Sequence, residues 1–187
     1  MTKPKLLIFL HFFDKDNNKE SIQQLADLVE YFSFNALFDS QRERGGYSRF
    51  MDKITKKSIY DNKIHKSIDY IDFTINKQLE KRNLKREDII LCGRSQAFMS
   101  IYTLTNNKKC HSIISLCGFA REIEINIKSK PEIIRLEAKN DTVLSQERKE
   151  SYKKLQQDIE VNYILDTKSD HDNISQEAIK KIINTYK

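Results

Sequence analysis

The residues Gly93-Arg94-Ser95-Gln96-Ala97 follow the apolar run Ile89-Ile90-Leu91-Cys92 and lead straight into helix-compatible sequence. At a sharp strand-to-helix turn a serine is held in a strained backbone conformation. Small residues two before and two after it let the chain fold tightly and lift the hydroxyl clear of a sheet. Gly93 and Ala97 are those small residues, so Ser95 reads as a nucleophile on an elbow. The pattern is looser than the version that ends in glycine, and an ordinary helix N-cap is the plain alternative for Ser95. A serine hydroxyl is a poor nucleophile at neutral pH. It needs a base to take its proton and an acid to orient that base, here expected in the chain order Ser, Asp, His.

Both partners have candidates downstream. Asp141 lies in the polar loop after the buried-type run Ile133-Ile134-Arg135-Leu136, with Asp166, Asp170 and Asp172 as rivals and turn-shaping as its structural alternative. His171 lies in the loop Asp166-Thr167-Lys168-Ser169-Asp170-His171-Asp172-Asn173, between the run Val161-Asn162-Tyr163-Ile164-Leu165 and the last helical stripe. An imidazole titrates near neutrality and suits a general base. The other histidines read differently: His11 as a structural residue of the first loop, His65 as a helix-surface residue and His111 as the start of a strand.

The elements that must position these groups follow from the apolar pattern. Six runs read as strands, at roughly 5–11, 34–39, 88–92, 111–117, 132–137 and 160–165. Helical stripes separate most of them. Ile22, Leu25, Leu28, Val29 and Phe32 follow an Asn17-x-x-Glu20 capping box, and Ile64, Ile68, Ile71, Ile75 and Leu79 form a longer stripe. Met99 and Tyr102, then Tyr152 and Leu155, and finally Ile179, Ile182, Ile183 and Tyr186 mark three more. Strands alternating with helices imply an α/β fold: a mostly parallel sheet of about six strands with helices on both faces. Ser95, Asp141 and His171 then each sit just past the carboxyl end of a strand, the edge where ligands bind in open α/β sheets.

On these motifs the chain resembles the phospholipase/carboxylesterase branch of the α/β-hydrolases, which includes lysophospholipases and acyl-protein thioesterases. The resemblance spans nearly the whole chain. It is carried by Leu10-His11, Gly45-Gly46-Tyr47, Gly93-Arg94-Ser95-Gln96, Ser115-Leu116-Cys117-Gly118-Phe119, Asp141-Thr142-Val143 and Asp170-His171. It implies a single α/β-hydrolase domain over 1–187 and a serine esterase that cleaves carboxylic esters or thioesters through a Ser95-His171-Asp141 triad and an acyl-enzyme. Oxyanion donors would be the backbone N–H of Gln96 and, from the family's His-Gly-x-Gly pattern laid on His11-Phe12-Phe13-Asp14, that of Phe13. Here the chain departs from the pattern, since Phe12 and Asp14 stand where glycines are expected. Side chains there restrict positive backbone angles and can crowd an acyl site. A catalytically impaired binding protein of the same fold is therefore the alternative reading. Phe12, Tyr47 and Phe119 are the candidate substrate-binding side chains, although Gly45-Gly46-Tyr47 reads equally well as a surface turn followed by a core aromatic.

Composition narrows the rest. At 187 residues, with four glycines, two prolines and no repeat, nothing marks an interdomain linker. Cys92, Cys110 and Cys117 are an odd number without metal-ligand spacing, which implies a reducing, cytoplasmic compartment. No cofactor and no metal are expected. The apolar run after Lys5 is brief, lacks a small-residue cleavage site and reads as a buried strand rather than a signal. No segment is long enough to cross a bilayer. A net charge of +6 is spread among interleaved acids and argues against nucleic acid, while allowing weak contact with an anionic membrane surface. The expected partner is a small-molecule or lipid-like ester. The first strand begins almost at residue 1, leaving no room for the antiparallel strands that commonly precede it in the family. A monomer, or a homodimer formed through an exposed sheet edge, is expected.

Overall fold

The computed structural model describes residues 5–11, 30–35, 57–95, 108–118, 131–143, 161–171 and 173–186. Its strands are β1 (Leu6–His11), β2 (Glu30–Asn35), β3 (Ile89–Arg94), β4 (Ser112–Leu116), β5 (Glu132–Ala138) and β6 (Val161–Asp166). They form one sheet in the order β2-β1-β3-β4-β5-β6, and every described pairing is parallel. A parallel sheet is covered on both faces, so its strands are apolar throughout rather than alternating. Leu6 to Leu10 and Ile89 to Cys92 accordingly have no solvent exposure.

Two α-helices are described, α1 (Lys57–Arg82) and α2 (Gln176–Thr185). In α2, Ala178, Ile179 and Ile182 pack with Leu7, Phe9, Ile90, Cys92, Ile114, Leu116, Ile134 and Leu136, which alternate along four central strands and therefore share one face. Burying each isoleucine contributes roughly 1.5–3 kcal/mol. Tyr186, just past the helix, bonds Ser112 at the start of β4 (2.7 Å between hydroxyl oxygens), and burial pushes its phenol well above the usual range. In α1 the stripe Ile71, Ile75 and Leu79 is buried. The helix stops at Asn83, whose φ of 52° is left-handed; Leu84 N–H donates to Leu79 and Asn83 N–H to Glu80, the double bond of a Schellman cap.

The second strand departs from the sequence pattern. The apolar run places it at 34–39, whereas it forms at Glu30–Asn35, and Phe32, which helical spacing assigns to the preceding stripe, pairs with Ile8. Leu28, Val29 and Phe32 satisfy a helical period, but Tyr31, Phe32 and Phe34 are also strong strand formers, and β1 offers them a six-residue parallel ladder. At the edge of the described sheet the polar Glu30, Ser33 and Asn35 are tolerated, and Glu30 accepts a bond from Arg82 at the end of α1 (2.6 Å). The Asn17-x-x-Glu20 box, the remainder of the first stripe, and the stripes at Met99 and Tyr152 lie outside the described residues. Among the described residues no helix is long and apolar enough to cross a membrane.

Candidate active site

Parallel strands deliver all their carboxyl ends to one edge, so the loops after β3, β5 and β6 open together. Ser95 is the first residue past β3. Its φ of 50° places a non-glycine side chain in the left-handed region, at a cost of roughly 1–2 kcal/mol. Its N–H is satisfied by Leu116 O (3.0 Å), which anchors the turn to the end of β4. Gly93 is buried between Leu10 on β1 and Ser115 on β4; no described glycine has positive φ, so what Gly93 contributes is the absence of a side chain. Cys117, one residue past β4, is also left-handed (φ 46°).

Asp141 follows the end of β5. Asp141 is buried; its Oδ1 accepts from Val143 N–H (2.8 Å) and its Oδ2 lies 2.7 Å from His171 Nδ1. It therefore shapes its own turn and faces the histidine at once. A carboxylate only accepts, so Nδ1 is the donor of this pair, and in the neutral imidazole the lone pair then lies on Nε2. Nε2 lies 3.1 Å from Ser95 Oγ, and in that tautomer it accepts from the hydroxyl. Asp141, His171 and Ser95 thus form one continuous hydrogen-bonded chain, with His171 buried and the serine half-buried.

The rivals take other roles. Asp166, at the end of β6, accepts from Ser169 N–H (2.8 Å), Ser169 Oγ (2.5 Å) and Ser175 Oγ (2.8 Å). Burial opposes its charge, but the bonds from Ser169 and Ser175 outweigh that and hold its carboxyl below the usual range. Ser175 in turn N-caps α2 by accepting from Ala178 N–H (3.1 Å). Asp170 closes a local turn by accepting from the backbone and side chain of Asn173. Asp172 lies outside the described residues. His111 N–H donates to Ile89 O just before β4, His11 ends β1, and His65 sits within α1.

Cys117 comes near the site, its Sγ 3.9 Å from Asp170 O, but burial pushes its thiol up to about 12, and Cys110 is raised likewise. Such thiols stay protonated at neutral pH and are poor nucleophiles. Among the described residues Cys92, Cys110 and Cys117 form no disulfide. Among the described residues no group of three His, Cys, Asp or Glu side chains can hold a metal ion. The sequence pattern missed one contributor: Arg94 donates through Nε (3.1 Å) and Nη2 (2.8 Å) to the carbonyl of His171. Gln96, Phe12, Phe13, Tyr47 and Phe119 lie outside the described residues.

No sequence family matches the chain, and no curated protein matches it in sequence. Solved structures do match it in fold. The chain is similar to the structure of YahD with malic acid (TM-score 0.75, 17% identity, covering 98% of this chain and 94% of that one). It is also similar to the esterase PE8 (0.70, 16%, 98% and 92%) and to a phospholipase/carboxylesterase from Dyadobacter fermentans (0.64, 15%, 99% and 90%). At such identities a likeness speaks to architecture, and together with the parallel sheet it establishes that the chain has the α/β-hydrolase fold.

Proposed function

We propose that this protein is a serine hydrolase that cleaves carboxylic ester or thioester bonds, in the manner of a carboxylesterase or lysophospholipase. The observation that carries the reading is the chain Asp141 Oδ2, His171 Nδ1, His171 Nε2, Ser95 Oγ, with spacings of 2.7 and 3.1 Å, ending on a serine in a left-handed turn at a strand's carboxyl end. Esterases among the structures of the same fold support it.

In this reading Ser95 Oγ attacks the acyl carbon as its proton passes to His171 Nε2. Asp141 holds the imidazole in the right tautomer and stabilises the imidazolium that forms. His171 then returns the proton to the departing alcohol or thiol, leaving an acyl-serine. Water, deprotonated by the same imidazole, hydrolyses that ester and regenerates Ser95. The tetrahedral oxyanion is assigned to the N–H groups of Gln96 and Phe13, each worth roughly 2.7–4 kcal/mol at a formed site. Phe12, Tyr47 and Phe119 are assigned to the acyl group, and cysteines without a disulfide suit a reducing compartment. Wild-type protein is expected to hydrolyse short-chain p-nitrophenyl esters. Ser95→Ala should lose nearly all turnover while staying folded, and unchanged turnover in that variant would remove the assignment.

Phe12 and Asp14, where the family pattern has glycines, favour a second reading: a binding protein of the same fold with an unformed oxyanion site. A chain-length series decides. If Phe12 narrows a working site, efficiency falls as the acyl chain lengthens and Phe12→Gly shifts the preference toward longer chains. If the oxyanion site is unformed, the wild type is inert toward every ester. Efficient wild-type turnover of long acyl chains would contradict both.

A further inference from the structure

The base and the nucleophile belong to distant parts of the sheet. Ser95 leaves β3, whereas His171 leaves β6, and β4 and β5 lie between them. Most described bonds of the base loop are internal to it or reach the loop beside it: Asp166 with Ser169 and Ser175, Asp170 with Asn173, and Asn140 Nδ2 with Thr167 O (2.9 Å). These bonds set the loop's shape. They do not set how far its tip stands from Ser95.

Arg94 does. Its guanidinium grips the carbonyl of His171 with two donors, 2.8 and 3.1 Å away, across 77 positions in sequence. The residue carrying the grip is covalently bonded to Ser95, so its Cα lies about 3.8 Å from that of the nucleophile. The same peptide segment therefore presents Ser95 Oγ to His171 Nε2 and holds the backbone from which that imidazole hangs. A two-donor cationic grip on one carbonyl is stronger and more directional than a neutral bond.

We propose that Arg94 is a positioning residue, tying the histidine's backbone to the elbow so that Nε2 stays within reach of the serine hydroxyl. The inference rests on the serine-hydrolase reading. It predicts an effect on the chemical step rather than on substrate binding, because Arg94 reaches a backbone carbonyl behind the imidazole.

The test uses Arg94→Met, which keeps the apolar stem and removes the donors, and Arg94→Lys, which keeps the charge but replaces the fork by one nitrogen. Misplacing a catalytic group by about 1 Å costs up to about 100-fold, so Arg94→Met is expected to lower kcat about 10- to 100-fold with KM within about twofold. Arg94→Lys should recover part of the loss. In proton NMR of the full chain, the downfield Nδ1–H resonance of His171, identified by its loss in His171→Ala, should be sharp in the wild type and broadened in Arg94→Met. If Arg94→Met fails to fold, the same measurements on Arg94→Lys carry the test, with a smaller fall in kcat expected. Full kcat with an unchanged resonance in a folded variant would overturn the proposal and leave the hydrolase reading standing. A raised KM at constant kcat would overturn it by making Arg94 a substrate contact. A wild type with no Ser95-dependent turnover would sink the hydrolase reading itself, and the resonance alone would then decide whether Arg94 fixes the ring.

Discussion

The loops that follow β5 and β6 carry Asp141 and His171, which share one hydrogen-bonded chain with Ser95, and they are built differently. The Asp141 loop is short. Asp141 N–H returns to Ala138 O (3.2 Å), Val143 N–H caps the carboxylate, and the aspartate is in place three residues after its strand ends. The His171 loop runs from Asp166 to the start of α2 and is braced at its root by Asp166, at its turn by Asp170 and Asn173, and at its tip by Arg94. The difference is one of reach. Because β5 and β6 are neighbours, Lys139 N–H bonds Asp166 O (2.8 Å) and the two loops leave the sheet side by side. Asp141 needs only to face its neighbour, whereas His171 extends back over two strands, and each added residue of reach carries an ordering cost that such bonds offset.

The contrast can be broken most severely at its centre. If the two loops exist to hold one imidazole, His171→Ala should cost about as much as losing the serine, on the order of 10⁶ in kcat, and Asp141→Asn about 10⁴. Steady-state rates with a p-nitrophenyl ester measure both. Asp170→Asn rivalling Asp141→Asn would mean that the short loop is not the acid loop.

A smaller effect separates bracing from chemistry. Asp166→Ala strands three donors in a buried corner and should destabilise the fold by about 2–3 kcal/mol in urea melts at pH 7. The sign with pH follows from its depressed carboxyl. Its folded value lies below its unfolded one, so the stabilisation is fully present above about pH 4 and is lost as pH falls through the folded value. The gap between wild type and Asp166→Ala should therefore shrink below pH 4, and a constant gap would deny that the charged form matters. The smallest effect belongs to Asp170→Asn. Its bonds to Asn173 are exposed and local, so stability should change by less than about 1 kcal/mol and kcat only slightly.

What the sequence made legible follows the same division. That Ser95, Asp141 and His171 meet could be read because each lies a few residues past an apolar run, and the order of those runs is local information. Asp166 read only as a rival acid, since a carboxylate that caps two serines and one that faces a histidine have the same sequence signature. Arg94 was illegible in role. Its acceptor is a backbone carbonyl 77 positions away, and such a bond leaves no trace in spacing or residue type. β2 failed for another reason: Leu28, Val29 and Phe32 fit a helical period while Tyr31, Phe32 and Phe34 favour a strand, and the ladder on β1 decided between them.

The most direct test of the account is to treat the wild type with a fluorophosphonate probe at neutral pH and map the adduct by mass spectrometry. Only a serine activated by its base, in a site that accepts the developing oxyanion, reacts quickly. Rapid, stoichiometric labelling of Ser95 is expected, abolished in Ser95→Ala and slowed strongly in His171→Ala. No labelling of the folded wild type, or labelling that persists in Ser95→Ala, would contradict it.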